Sequence, residues 1–102
     1  VKRTRPKRRS PRMEAVYVER RAFVAEVLST RRVCEVKWDA HCWGRATTVH
    51  ELIPRSQGGE ILPGPKAEAQ GQRFYAACIH CHDRVHLRPA EGRRRGLLRR
   101  RG

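Results

Sequence analysis

Apolar residues fall at helical spacing in the first third of the chain. Met13, Val16, Tyr17, Phe23, Val24, Val27 and Leu28 recur mostly every three or four positions, with Glu14, Glu19, Arg20, Arg21 and Glu26 on the other side. The pattern predicts a helix over residues 13–30 that leaves through Ser29-Thr30-Arg31-Arg32 and covers a small core with its apolar stripe. Further on the period changes. Ala46-Thr47-Thr48-Val49-His50 is β-branched enough for a strand, Pro54 stops it, and Gly58-Gly59, Pro63, Gly64 and Pro65 mark a long surface loop to about Gly71. Arg73-Phe74-Tyr75-Ala76-Ala77-Cys78 reads as the return strand. Residues 79–88 then predict a short helix that Pro89 ends.

That last helix carries chemistry. His82 and His86 sit at i and i+4, about 40° apart around the axis, so both rings can reach one ion. His50, delivered by the end of the first strand, is a third imidazole for the same ion. Cys81 lies about 100° from His82 and serves another site. Cys78 and Cys81 have the spacing of a zinc knuckle, and Cys34 and Cys42 complete four thiolates. The seven residues between Cys34 and Cys42 exceed the usual two to four, which leaves His41 as an alternative ligand to Cys42. Trp38 and Trp43 are expected to pack as the knuckle's apolar shell, with base stacking as their other use. The first helix is expected to lie over the knuckle. His80 and His41 read as surface residues rather than ligands.

The charge is concentrated at the two ends of the chain. The 102 residues carry a formal +14; residues 1–12 contribute +7 and residues 93–102 contribute +6, leaving +1 for residues 13–92. Basic runs with Pro, Ser and Gly repel themselves and bury nothing, so both ends are expected as disordered tails that bind a polyanion, with nucleic acid favoured. A membrane surface fits less well, since neither tail has an apolar face beyond Leu97 and Leu98. No apolar run reaches the roughly 18 residues needed to span a bilayer, and no apolar stretch of a signal peptide follows the basic start. An intracellular location is therefore expected, where four cysteines favour zinc over disulfides. A metal would matter to a folded segment this short.

Strand, loop, strand and metal-bearing helix within a cysteine cage resembles the HNH nuclease family. The residues that carry the resemblance are Val49-His50-Glu51-Leu52-Ile53-Pro54-Arg55-Ser56-Gln57-Gly58-Gly59 and Cys78-x2-Cys81-His82-x3-His86, within residues 34–87. The layout is similar to the small stand-alone HNH proteins of phages, and Pro-x-Ser-x-Gly-Gly also looks like colicin-type DNases. The resemblance implies an α+β ββα-metal (His-Me finger) domain over residues 13–92. His50, His82 and His86 would hold the catalytic ion, and Cys34, Cys42, Cys78 and Cys81 a structural zinc. It also implies, as resemblance only, a phage origin and a terminase partner in DNA packaging.

Two positions depart from the family. Glu51 stands where a general-base histidine is usual, and Arg73 stands where the family has an asparagine that holds the loop orienting the base; the chain contains no asparagine. Gln72, one residue away, could substitute with a register shift. Glu51 is expected either as the base or as a metal-binding or structural carboxylate, ion-paired to Arg55 or Arg84; Arg73 as a phosphate contact or a solvated strand residue. The catalytic ion can be Mg, Mn, Ni, Co or Zn, since imidazole ligation does not choose among them. The expected activity is metal-dependent DNA cleavage with little base readout, nicking or cutting both strands. A catalytically degenerate, zinc-stapled module that only binds nucleic acid is the alternative.

Overall fold

The computed structural model describes residues 10–100. The basic residues 1–9 and 101–102, expected to be disordered, lie outside the described residues. The remainder is a small α+β protein with a two-stranded sheet and four helices in the order α1 (Pro11–Thr30), β1 (Thr48–Glu51), α2 (Pro65–Gln70), β2 (Phe74–Ala77), α3 (Ile79–Leu87) and α4 (Pro89–Arg94). No helix among the described residues is long and apolar enough to cross a membrane.

The helix α1 begins two residues earlier than the apolar spacing indicated. The Ser10 side chain accepts the Met13 N–H at 3.2 Å, and Pro11 occupies the first helical position, where its missing N–H costs nothing. The helix does not lie over the cysteines. Val27, Phe23, Val24 and Leu28 pack on Val49, Ala46, Ala76 and Phe74, on one face of the hairpin. The cysteines gather with Val36, Trp38, Ala77, Val85, Leu97 and Leu98 in a second cluster. The strands are too short to support one thick core, so two thin layers form, one on each side.

β1 and β2 are antiparallel, with Thr48 opposite Ala77, Val49 opposite Ala76, His50 opposite Tyr75 and Glu51 opposite Phe74. Side chains alternate between faces along a strand. Val49 therefore faces α1, and its neighbour His50 faces α3.

The connection between the strands is less irregular than its Gly and Pro content suggested. Residues Arg55–Gln57 form a single 3-10 turn, and Pro65–Gln70 form α2, opened by Pro65 and closed by Gly71 in the left-handed region. The Gly58-Gly59 pair has two separate physical causes. Gly58 ends the 3-10 turn at φ 78°, while a Cβ on Gly59 would stand 1.8 Å from the Ile53 carbonyl oxygen.

The C-terminal expectation is corrected. Arg93 and Arg94 end α4, and Leu97 and Leu98 are buried in the cysteine-side cluster, so no disordered tail begins at residue 93. The segment is anchored because the Leu97 N–H bonds to Gly92 O at 2.8 Å and the Arg99 N–H bonds to Leu52 O at 2.8 Å. The Arg95 guanidinium also stacks 4.0 Å above the Trp38 ring and donates to the Trp38 carbonyl at 2.9 Å.

Candidate metal centres

The four cysteines come together from three places in the chain. Cys34 follows the exit of α1, Cys42 sits in the loop before β1, and Cys78 and Cys81 flank the start of α3. Their sulfur atoms all lie within 4.8 Å of one another, and all four thiols are free. The long spacing between Cys34 and Cys42 is no obstacle, and His41 is not needed; it stays exposed, while its neighbour in space His80 pairs with Asp39 at 2.9 Å.

Backbone N–H groups point at three of the sulfurs: Trp38 N to Cys81, Gly44 N to Cys42, and Cys81 N to Cys78, each at 3.4 Å. Such donors favour thiolate over thiol. Burial opposes ionisation of Cys34, yet hydrogen bonds from the Lys37, Cys78 and Val36 backbone bring its pKa down to about 7. Burial pushes the Cys81 thiol up, the cost that a cation in the middle of the cluster would offset. A donor set of four sulfurs with inward N–H groups fits a soft tetrahedral ion such as zinc. Trp38 packs in this cluster as expected, but Trp43 is 59% exposed and does not.

The three histidines converge on a different face of α3. His50, His82 and His86 place ring nitrogens within 4.8 Å of one another. His50 is fully buried, His82 is half-buried and His86 is exposed, so the cluster opens to solvent through His86. The His50 Nε2 lies 2.6 Å from the Leu97 carbonyl and its Nδ1 lies 2.9 Å from His82 Nδ1. A carbonyl only accepts, so Nε2 carries the proton and Nδ1 presents its lone pair to the cluster. Burial lowers the His50 pKa to about 4 and, with the charge of His86, lowers that of His82. Neutral rings turned inward are the state a metal ion binds. The arrangement fits one divalent ion with room for further ligands.

Glu51 is not beside His50 in space in the way adjacency suggested. The alternation of the strand turns it to the α1 face, where it pairs with Arg20 at 2.5 Å rather than with Arg55 or Arg84. Arg20, placed on the polar face of α1 by the sequence, is half-buried. It also donates to Ile61 O at 2.8 Å and to Val49 O at 3.2 Å, tying α1 to the strand end and to the loop. Burial raises the Glu51 pKa against the pull of Arg20, and the charge of His86 still reaches it.

Arg73 is exposed, and its part in the fold is its backbone carbonyl, which accepts the Leu52 N–H at 2.9 Å. Its neighbour Gln72 is the residue that grips the motif loop. The Gln72 amide accepts from Ile53 N at 2.8 Å and donates to Ile53 O at 2.8 Å and Glu60 O at 2.9 Å. Three contributors were therefore missed by sequence reasoning: Arg20, Gln72 as a primary assignment, and the Leu97 carbonyl. Only Gln72 and the apolar pair Leu97-Leu98 left a signal that could have pointed to them.

The two clusters define a protein that can hold metal at a closed site of four cysteines and at an open site of three histidines. Comparisons with protein-family models, curated proteins and solved structures found no match.

Proposed function

We propose that this chain is a metal-dependent endonuclease that hydrolyses phosphodiester bonds in DNA. It would be built as a ββα-metal domain, with zinc at Cys34, Cys42, Cys78 and Cys81 and a catalytic divalent ion at His50, His82 and His86. The observation that carries the reading is the graded burial of the three converging imidazoles. One side of the site is sealed by the fold and the other is open to a substrate. The succession β1, β2, α3 around it supports the HNH resemblance.

The ion, when bound, would stabilise the charge that builds up on the scissile phosphate and the leaving oxygen. The chain's own residues do the rest. His50, held by Leu97, presents Nδ1 in a fixed direction, and His86 forms the mouth. Glu51 is the proposed base for an attacking water once it turns from Arg20 on the α1 face toward the histidine site: desolvation raises its pKa, making it a better proton acceptor than an ordinary glutamate near 4.3. Gln72 fixes the loop at Ile53, the job the family gives its asparagine, which relieves the second departure.

One observation favours the binding-module reading instead. Glu51 is already engaged by Arg20, and a carboxylate held in an ion pair is a poor base until released. Cleavage of supercoiled plasmid, with EDTA or with added Mg or Mn, separates the two. We expect metal-dependent nicking that disappears in His50→Ala. Retardation of DNA by both proteins without cleavage under any divalent ion would leave the binding module.

A further inference from the structure

Residues 93–100 are held in place by backbone bonds and by the burial of Leu97 and Leu98. This strap shares a cleft with His86, the exposed member of the histidine cluster. Arg93, Arg99 and Arg100 line an open cleft of about 210 Å3 together with His86, Ser56 and Gln57. Arg99 and Arg100 continue into an adjoining cleft of about 950 Å3 with Lys66, where Glu60 is the one acid lining either. The formal charge is concentrated accordingly. Of the +14, Lys2, Arg3, Arg5, Lys7, Arg8, Arg9 and Arg101 account for seven, so residues 10–100 carry +7 rather than near neutrality.

Neutralisation within the fold is uneven. On α4, Glu91 is shared between Arg88 and Arg95. Arg93 and Arg100 are exposed and make no ion pair among the described residues. Arg99 gives one guanidinium N–H to the Gln70 carbonyl and keeps its charge. Like charges lining one concave surface repel, and that arrangement is favourable only against an anion with several charges at matching intervals.

We propose that the cleft between His86 and the Arg93–Arg100 strap is a phosphate track for duplex DNA. It holds backbone phosphates beside the one placed at the histidine cluster. The identity of the anion rests on the nuclease reading above; the placement of the track does not. The track makes the grip local to the site, where sequence alone had assigned it to loose tails.

The test is the salt dependence of duplex binding by the full, zinc-loaded chain without added Mg or Mn. Each lost phosphate contact lowers the slope of log K against log salt by about 0.9. We expect Arg93→Gln and Arg100→Gln each to lower it by about 0.9, and the double variant by about 1.8. Arg32→Gln with Arg45→Gln removes equal charge from exposed arginines lining a cleft beside Leu28 and Ala46, and is expected to leave the slope nearly unchanged. Equal losses in the two double variants, an unchanged slope in the first, or no duplex binding by the parent would each overturn the track. Failure of the nuclease reading is seen separately, as binding with these slopes by a parent that cuts no plasmid.

Discussion

The Leu97 carbonyl accepts a hydrogen bond from His50 Nε2 at 2.6 Å, joining a residue near the C-terminus to the buried member of the histidine cluster. The bond selects the tautomer that offers Nδ1 to an ion. Partners of this kind typically alter metal affinity about 10- to 100-fold. A chain ending at Gly96 is therefore expected to bind Co or Ni at the histidine site at least about tenfold more weakly, measured by titration calorimetry. Leu97→Ala keeps the carbonyl while losing roughly 2 kcal/mol or more of stability. Its metal affinity should stay within a few-fold of the parent. Equal weakening in both would mean that packing, and not the carbonyl, sets the affinity.

Glu51 and Arg20 form a pair that is largely shielded, with side chains 15% and 14% exposed. Removing one partner leaves the other charge uncompensated, so Arg20→Ala should destabilise by about 3 kcal/mol, and Arg20→Ala with Glu51→Ala by less than the sum. Activity carries a second signature. If Glu51 is the base, cleavage falls as pH drops through a pKa above the ordinary glutamate range, because burial favours the protonated form. Glu51→Gln would abolish the fall together with the rate. A loss with an apparent pKa near that of histidine that survives in Glu51→Gln removes Glu51 from the role.

The half of each metal cluster that lies at or in α3 was legible from local geometry, and Cys34, Cys42 and His50 were added to it by residue type and number alone. The spacing from Cys78 to Cys81 and from His82 to His86 lies within one helix and fixes direction through the helical period. The α+β element order was legible from the change of period between residues 13–30 and 46–50. Pairings across the chain were not. Arg20 lies 31 residues before Glu51, and a charged residue on an amphipathic helix gives no sign that it turns inward. Glu51 was misplaced because adjacency in sequence is opposition across a strand. Residues 93–100 were read as tail because their charge masked Leu97-Leu98, whose burial depends on the groove left between α3 and the motif loop.

Gln72 and Arg73 can be told apart by substitution. Gln72→Ala strands Ile53 N–H, Ile53 C=O and Glu60 C=O, which are partly buried. At about 1 kcal/mol per lost bond the variant should lose about 3 kcal/mol in urea unfolding and most of its cleavage rate. Arg73→Ala, at an exposed position, should change stability by less than about 0.5 kcal/mol. A larger loss of cleavage in Arg73→Ala than in Gln72→Ala would return the loop-holding or phosphate role to Arg73.

Cys34, Cys78 and Cys81 are buried in the cluster that includes Trp38, Val85, Leu97 and Leu98, and Cys42 packs against it. A structural zinc contributes about 10 kcal/mol of folding free energy, comparable to the whole stability of a small domain. A strong chelator should therefore unfold the protein, seen as exposure of the Trp38 fluorophore, and zinc should restore it. Cobalt in its place should give the thiolate-to-metal absorption of four sulfur ligands. Cys81→Ser should abolish both, and Trp43→Ala neither. Retention of cooperative unfolding after complete zinc removal would show that the apolar layers suffice alone.

Protonation of His50 makes the stability depend on pH. Its folded pKa of about 4 lies below the ordinary 6.5 because burial penalises the imidazolium, with the Leu97 hydrogen bond acting against that burial. The unfolded chain therefore binds more protons between these values, and stability rises with pH there. The contribution is fully present above about pH 6.5 and is lost as pH falls toward about 4, a change of about 3 kcal/mol at most. His82, lowered by burial, acts in the same direction, while Glu51, raised by burial, acts in the opposite one. The difference in urea stability between parent and His50→Gln, with one equivalent of zinc for the cysteine site and the histidine site left without metal, isolates the His50 part. That difference should shrink by about 3 kcal/mol from about pH 7 to about pH 4. A difference independent of pH would mean that the folded protein accommodates a charged His50.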